Sequence, residues 1–142
     1  MTSSQLPTQN QSFGVDPTRG LAHLLGIEVL ELTPERVVAT MPVDERTHQP
    51  FGILHGGASL ALAETVASLG AIMNLDRETS MAVGMEINAN HLRSKRTGIV
   101  TAVGTPVHRG RSTQVWEIRI VDEQDALVCL SRCTLAVVPN RS

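Results

Sequence analysis

The sequence predicts an α+β domain in which an antiparallel sheet of five or six strands wraps around one long helix. The first observation is a stretch from Gly52 to Leu75 that is too long and too rich in alanine and leucine for a strand. The second is that six other runs alternate apolar and polar residues and are joined by short links. Short links favour antiparallel neighbours, and a helix that is apolar nearly all round must be buried on most sides.

The elements follow in order along the chain. Residues 1–14 are polar and without periodicity, so we expect a flexible lead-in before a single domain over residues 15–140. Asp16 and Pro17 are typical of an N-cap and a first helical position, and they predict a short helix that ends at Gly26. Strands are predicted before the long helix over 27–33 and 36–43, and after it, as an antiparallel meander, over 81–92, 99–107, 113–121 and 127–138.

The composition is that of a globular protein, with 42% hydrophobic and 18% charged residues in 142. No apolar run is pure enough to span a membrane and no basic-then-apolar leader begins the chain, so we expect a cytoplasmic protein without membrane contact. Cys129 and Cys133 lie four apart in one predicted strand, too far for an easy disulfide. We expect both to be reduced, buried and structural.

The charge distribution argues against a nucleic-acid binder and indicates one region that attracts anions. A formal charge of −2 and few aromatic side chains argue against a general nucleic-acid binder. Residues 88–115, here called the acid-free segment, contain no Asp or Glu. They hold five cations and two histidines: Arg93, Lys95, Arg96, Arg109, Arg111, His91 and His108. This segment should attract anions on an otherwise acidic protein.

Glu64 is the only ionisable acid in the long apolar stretch. No Lys or Arg between Gly52 and Leu75 can neutralise it from a neighbouring helical turn, and Ser68 is the polar residue that shares its face. Burying an unpaired carboxylate is costly, so Glu64 is either a structurally satisfied acid or a reactive group open to substrate and solvent. The second reading suits a general base or a nucleophile.

The start of the long helix offers the complementary half of a reactive site. Gly56 and Gly57 have no side chains, so a ligand can approach the first N–H groups, where the helix dipole favours developing negative charge. The same glycines could simply permit a tight turn. His55 could orient or cap this loop, and Gln49 could bind a substrate carbonyl or merely belong to the turn at Pro50.

Several other chemistries do not fit the sequence. Ser59 lacks the second glycine of a G-x-S-x-G nucleophile elbow, and no Walker lysine follows the glycines. The five histidines are scattered without the short paired spacing of a zinc site, so we expect no metal.

The chain resembles the hotdog-fold acyl-CoA thioesterases in three separated stretches, in this order: THQPFGILHGGASLALAE, VGMEINANHLRSKRTG and HRGRSTQVWEI. The likeness covers about residues 20–138 and is to the branch that contains 1,4-dihydroxy-2-naphthoyl-CoA and 4-hydroxybenzoyl-CoA hydrolases. Phenylacetate-type members usually have Asp in place of Glu64. The resemblance implies a hotdog fold, hydrolysis of an aromatic acyl-CoA and no cofactor beyond the CoA of the substrate. The pathway, menaquinone biosynthesis or aromatic degradation, would follow from the acyl-CoA that the enzyme prefers.

The resemblance also implies roles for individual residues. Glu64 matches the catalytic acid and Gly56 the residue whose N–H polarises the thioester carbonyl, while Gln49, His55 and Ser68 match residues that align thioester, loop and water. The remaining matches would contact the substrate or CoA, and they are Gly57, Gly84, His91, Leu92, Arg93, Ser94, His108, Arg109, Gly110, Arg111, Ser112 and Thr113.

The spacing of these residues predicts an oligomer. Gly56 and Glu64 are eight residues apart, about 12 Å along a helix, so one carbonyl cannot touch both groups of the same helix. The site should combine Gly56 of one protomer with Glu64 of another across a two-fold axis, which requires a homodimer at minimum, and we expect a homotetramer built as a dimer of dimers. The loops at 93–98 and 108–112 should lie at opposite ends of the sheet and reach one CoA from different chains.

Three alternatives stay open at this stage. Within hydrolysis, Glu64 either activates water or attacks to give a mixed anhydride. A hotdog dehydratase or hydratase would instead need His48 or His55 as base, and a non-catalytic module would bind acyl-CoA without releasing thiol. The identity of the acyl group is not fixed by the sequence.

Overall fold

The structure is a computed structural model that describes residues 18–141, in which a six-stranded antiparallel sheet packs around one long helix. The predicted flexible lead-in over residues 1–14 and the predicted helix start at Asp16 and Pro17 lie outside the described residues. The elements are α1 Leu21–Leu24, β1 Glu28–Leu32, β2 Val37–Pro42, α2 Gly56–Ile72, β3 Ser80–His91, β4 Ile99–Arg109, β5 Thr113–Val121 and β6 Leu127–Pro139. All six predicted strands are confirmed. In β2, β4, β5 and β6 alternate residues are buried in the core that packs against α2.

The order of the strands differs from the predicted meander. The sheet runs β1-β2-β4-β5-β6-β3, so β3 pairs with β6, and β4 pairs with β2 and β5. The segment 92–98 carries the chain from one side of the sheet to the other. Its backbone is held on both sides, since the Leu92 N–H donates to Val128 O at 2.8 Å and the Val43 N–H donates to Gly98 O at 2.8 Å. As a result β3 is an edge strand.

Helix α2 packs against the concave face of the sheet. It buries Leu62 and Val66 beside Met41 and Trp116. A Cβ on Gly70 would collide with the Trp116 indole, so glycine is needed where the helix crosses β5. The expectation that α2 is buried on most sides holds only in part, because Glu64 is exposed and Thr65 and Ser68 are only half-buried in the single chain.

Helix α2 begins at Gly56, as the glycine pair predicted, whereas the first helix is shorter than predicted. Before α2, the Gln49 N–H donates to Ile53 O and Gly52 has φ 78°, so this part of the 52–75 stretch is a loop. After α2, the Asn74 side chain donates to Gly70 O at 2.9 Å and to Pro34 O at 2.8 Å, and thereby binds a free carbonyl of the helix end. The short first helix was predicted to begin near Pro17, but residues 18–20 are not helical and α1 begins at Leu21.

Candidate active site

The Glu64 carboxylate lies at the middle of α2, beside the edge strand β3. It is exposed and makes no hydrogen bond or ion pair within residues 18–141. A Cβ on Gly84 of β3 would collide with Glu64 Oε1, so glycine at this position lets the edge strand approach the carboxylate. Ser68, one helical turn further on, is half-buried. The structure thus brings together Glu64, Ser68 and Gly84.

An open pocket of about 380 Å³ adjoins this carboxylate. Its lining residues are Leu21, Ala61, Glu64, Thr65, Ser68 and Leu69. The Thr65 hydroxyl donates to Ala61 O at 2.7 Å, so it is already engaged within the helix. Among the described lining residues, Glu64 and Ser68 therefore have polar side chains without a hydrogen-bond partner, and Leu21, Ala61 and Leu69 are apolar.

The start of α2 presents one backbone donor. His55 is the N-cap, and its Nδ1 accepts a hydrogen bond from the Gly57 N–H at 2.8 Å. Within the described chain the Gly56 N–H has no acceptor, whereas the Gly57 N–H is taken. The His91 ring lies where a Gly56 side chain would be, 2.9 Å from that Cβ position to Nε2. An N–H without an acceptor at the positive end of the helix dipole is suited to stabilise an oxyanion.

Gln49 lies in the loop before α2. Its Oε1 accepts a hydrogen bond from the Phe51 N–H, which orients the side-chain amide. Within residues 18–141 its Nε2 has no acceptor, so it can donate to a substrate carbonyl. His48 is engaged elsewhere, because its Nε2–H donates to Arg96 O at 2.7 Å.

The acid-free segment divides between the two ends of the sheet, as predicted. His91, Leu92, Arg93 and Ser94 are exposed at the end where α2 begins. Gly110, Arg111 and Ser112 lie at the other end, where Ser112 O accepts from the Val137 N–H and Gly110 N–H donates to Thr113 O. A Cβ on Gly110 would collide with the His108 ring, so glycine also keeps this turn compact.

Two of the five cations in this segment are bound to other groups. Lys95 pairs with Glu123 at 2.6 Å, and this contact lowers the pKa of the Glu123 carboxyl. Arg109 lies 3.3 Å from Asn74 Oδ1 and 3.9 Å from Glu35, so it fastens the end of β4 to the end of α2. Within the described residues, Arg93, Arg96 and Arg111 have no carboxylate partner and remain available to an anion.

Comparison with known proteins identifies the family. A model described as the thioesterase superfamily matches residues 51–129, which span α2 to β5 and more than half of the chain. The chain belongs to the thioesterase superfamily. The hotdog fold and the thioester hydrolase activity predicted from the sequence are thereby confirmed.

Several known proteins are similar to this thioesterase over nearly the whole length of its domain. A Listeria monocytogenes protein named 1,4-dihydroxy-2-naphthoyl-CoA hydrolase is 49% identical over 122 residues, which is 86% of this chain and 98% of that protein. The proofreading thioesterase EntH of Cronobacter turicensis is 50% identical over 118 residues, or 83% of this chain and 85% of that protein. A crystal structure of a mutant thioesterase from Pseudomonas aeruginosa matches with a TM-score of 0.88 at 43% identity, covering 98% of this chain and 97% of that one.

Two residues near the site of this thioesterase were missed by sequence reasoning. Leu21 of α1 lines the pocket beside Glu64. Arg77 lies with Ser80 and Asn140 around a second pocket of about 330 Å³, between the end of α2 and the start of β3. Periodicity gives no signal for either residue, because both positions depend on how the ends of α1, α2 and β3 meet.

Within the described residues of this thioesterase no helix is long and apolar enough to cross a membrane. No group of three His, Cys, Asp or Glu in that same part of the chain is placed to hold a metal ion.

Both cysteines of the thioesterase are free and fully buried, as predicted. Burial raises the pKa of the Cys133 thiol to about 11, and the negative charges of Glu64 and Glu86 add to the rise. Burial also raises the pKa of Cys129. Since the thiolate is the reactive form, iodoacetamide at pH 8 should modify neither cysteine in the folded protein and both in 6 M guanidinium. Rapid modification of the folded protein, followed by mass spectrometry, would contradict this.

Proposed function

We propose that this thioesterase hydrolyses an aromatic, hydroxyaryl acyl-CoA to the free acid and CoA in the cytoplasm. The observation that carries the proposal is the Glu64 carboxylate, exposed without an ionic partner at an apolar pocket. Such a pocket suits a ring or chain, and the carboxylate suits attack on the carbonyl attached to it. The Listeria relative, whose name gives an aromatic acyl-CoA, supports the choice of substrate class.

In the proposed reaction the Gly56 N–H stabilises the negative charge that develops on the carbonyl oxygen. The Glu64 carboxylate either removes a proton from water as it attacks, or attacks itself to give an anhydride that water then opens. In both routes water and thioester become acid and CoA thiol, and no cofactor is consumed. In a single turnover in ¹⁸O-water, label in the Glu64 carboxylate would favour the anhydride route, because direct attack by water places the label in the product acid alone.

The dehydratase alternative would need His48 or His55 as base. The His48 Nε2–H donates to Arg96 O, and His55 Nδ1 accepts from the Gly57 N–H. These contacts hold one nitrogen of each ring in the loop before α2. Assays of enoyl-CoA and 3-hydroxyacyl-CoA alongside thiol release distinguish the two reactions.

We propose that the site forms only in a dimer. Gly56 is the first residue of α2 and Glu64 lies eight residues later, about 12 Å along the axis, so a single chain cannot bring both to one carbonyl. Strand β3 has a free edge on which Met85 is exposed, and it can pair with β3 of a second copy.

A second interface would complete the proposed tetramer. Met81 and Val83 alternate along β3 with Ala82, which packs against the core, so they face away from α2. Both are exposed in the single chain and leave apolar surface on the back of the sheet. Sedimentation equilibrium measures the assembly, and a monomer that hydrolyses acyl-CoA would contradict the dimeric site.

The acid-free segment would bind the CoA polyphosphate in this dimer. Arg93 lies near the start of α2 and Arg111 near its end, so antiparallel α2 helices of two protomers would bring Arg93 of one chain toward Arg111 of the other. Arg109 is not needed for this role, because its guanidinium is bound to Asn74. Both Arg93 and Arg111 should therefore contribute to KM more than to kcat.

The two-chain site predicts complementation between inactive variants. Glu64→Gln removes the base and Gly56→Pro removes the N–H, so each homodimer should be inactive. A heterodimer of the two variants contains one site with both native groups, and it should recover about half of the wild-type activity per dimer. Purification through two different affinity tags isolates this heterodimer for assay. Activity no higher than in either homodimer would show that both groups act within one chain.

A thiol-release screen tests the substrate class. It compares benzoyl-CoA, 4-hydroxybenzoyl-CoA, phenylacetyl-CoA, 1,4-dihydroxy-2-naphthoyl-CoA and fatty acyl-CoAs, with kcat/KM as the readout. We expect the hydroxyaryl thioesters to be hydrolysed fastest. A preference for 1,4-dihydroxy-2-naphthoyl-CoA would place the enzyme in menaquinone biosynthesis, whereas a preference for fatty acyl-CoAs would overturn the aromatic assignment.

A further inference from the structure

We propose that α1 forms one wall of the acyl-binding pocket and that Leu21 contacts the acyl group and helps determine which acyl groups are accepted. The inference rests on the proposed function, because it assigns the pocket beside Glu64 to the acyl part of the thioester. Of the six lining residues in the described part of the chain, five belong to α2, and Leu21 is the one contributed by another element.

The chemistry of the lining fits a hydrocarbon group. Leu21, Ala61 and Leu69 supply apolar surface around Glu64. The Thr65 hydroxyl donates its proton to Ala61 O, so it can offer a ligand only an acceptor. A thioester carbonyl placed at Glu64 would thus leave its apolar acyl group against Leu21 and Leu69. The volume of about 380 Å³ lies at the small end of the range for ligand pockets, as expected for one or two rings.

The position of Leu21 is fixed although its side chain is exposed. Helix α1 buries none of its own residues, and Leu21 is 60% exposed. The following residues Leu25 and Ile27 are partly buried and pack against the core. The Leu25 N–H donates to Leu21 O at 2.9 Å, which ties Leu21 to that anchored part. Leu21 is therefore held beside the pocket without serving the core, as expected of a residue that contacts a ligand.

Leu24 provides a matched control on the same helix. It is the same residue type, it is 65% exposed, and it does not line the pocket. Replacing either leucine by alanine removes the same atoms and leaves the core unchanged, so neither variant should alter Tm measurably. A difference between the two variants in substrate selectivity then reports contact with the acyl group.

The test measures kcat and KM for acetyl-CoA, benzoyl-CoA and 2-naphthoyl-CoA with wild type, Leu21→Ala and Leu24→Ala. Leu21→Ala should raise KM for 2-naphthoyl-CoA about tenfold at unchanged kcat, since a lost apolar contact in a pocket has about this effect. The constants for acetyl-CoA should stay within about twofold, because its methyl group is too short to reach α1. Leu24→Ala should match wild type for all three.

A larger residue gives an independent arm. Leu21→Trp should narrow the pocket and lower kcat/KM for 2-naphthoyl-CoA relative to benzoyl-CoA. If Leu21→Ala and Leu24→Ala have the same selectivity as an active wild type, this inference is wrong while the proposed function stands. If the wild-type enzyme releases thiol from fatty acyl-CoA but not from any aryl-CoA, the proposed function is wrong. A change in selectivity for fatty acyl chain length in Leu21→Ala but not in Leu24→Ala would then still support α1 as a wall of the pocket. Absence of thiol release from every thioester would overturn both.

Discussion

Replacing Glu64 by glutamine should lower kcat by about 10³-fold, whereas binding of CoA should change little. Glutamine has the same shape but can neither accept the proton of an attacking water nor act as a nucleophile. Glu64 is exposed and makes no ion pair in the described part of the chain, so the substitution should not destabilise the fold. Thiol release from 4-hydroxybenzoyl-CoA measures the activity, and thermal unfolding checks that Tm is retained.

Glu86→Gln is the matched control for this experiment. Glu86 lies on β3 only two residues from Gly84, and its carboxylate accepts a hydrogen bond from Asn88 at 2.9 Å. Removing this charge changes the electrostatic field near the site without removing the reactive group, so kcat should remain within a few-fold of wild type. Turnover by Glu64→Gln comparable to that of Glu86→Gln would show that Glu64 is not the catalytic acid.

Replacing Gly56 by proline should lower kcat by about 10² to 10³-fold, because it removes one N–H that stabilises an oxyanion. Proline is well tolerated at the first position of a helix, where the N–H has no partner inside the helix. The preceding His55 has φ −71° and ψ 131°, an extended conformation that is compatible with a following proline. The helix should therefore form normally, which circular dichroism can verify.

Gly56→Ala separates the loss of the N–H from the effect of a side chain. Alanine keeps the N–H but places a Cβ at the same point, 2.9 Å from His91 Nε2. The exposed His91 ring must move in both variants, so a difference in kcat between them isolates the backbone donor. We expect alanine to retain most of the activity. If alanine is as impaired as proline, displacement of His91 rather than loss of the N–H is responsible.

The local structure was predictable from the sequence because it follows from local patterns. Alternation over four to twelve residues identified every strand, and the alanine-rich stretch identified α2. The pairing of β3 with β6 could not be read in this way, since it joins residues as distant as Ser80 and Pro139. Nothing in the periodicity of β3 distinguishes β4 from β6 as its neighbour. Which strand pairs with β3 depends on the path of residues 92–98, and the hydrogen bonds that hold this path exist only in the folded chain.

The candidate site was predictable to a similar extent. Glu64 and Gly56 stand out from residue type and spacing alone, because an acid is rare in an apolar helix and a glycine pair exposes a helix start. The sequence alone did not distinguish the role of Arg109 from that of Arg111. Counting charges does not reveal that Asn74 and Glu35 lie beside Arg109. Leu21 was missed because an exposed leucine becomes informative only when the pocket beside it is known.

The segment 92–98 also connects Arg93, the proposed anion contact, with the loop that precedes Gly56. This segment contacts Val43 and Val128, as described above. In addition, the Lys95 carbonyl oxygen accepts a hydrogen bond from the Leu54 N–H at 2.7 Å, and Leu54 lies two residues before Gly56. An anion bound at Arg93 would therefore restrain the same loop that holds the Gly56 N–H. The nucleotide of CoA would then act on the chemical step and not only on affinity, because binding energy far from the carbonyl would hold the donor in place. An acyl-pantetheine, which lacks the nucleotide, would react more slowly even when it saturates the enzyme.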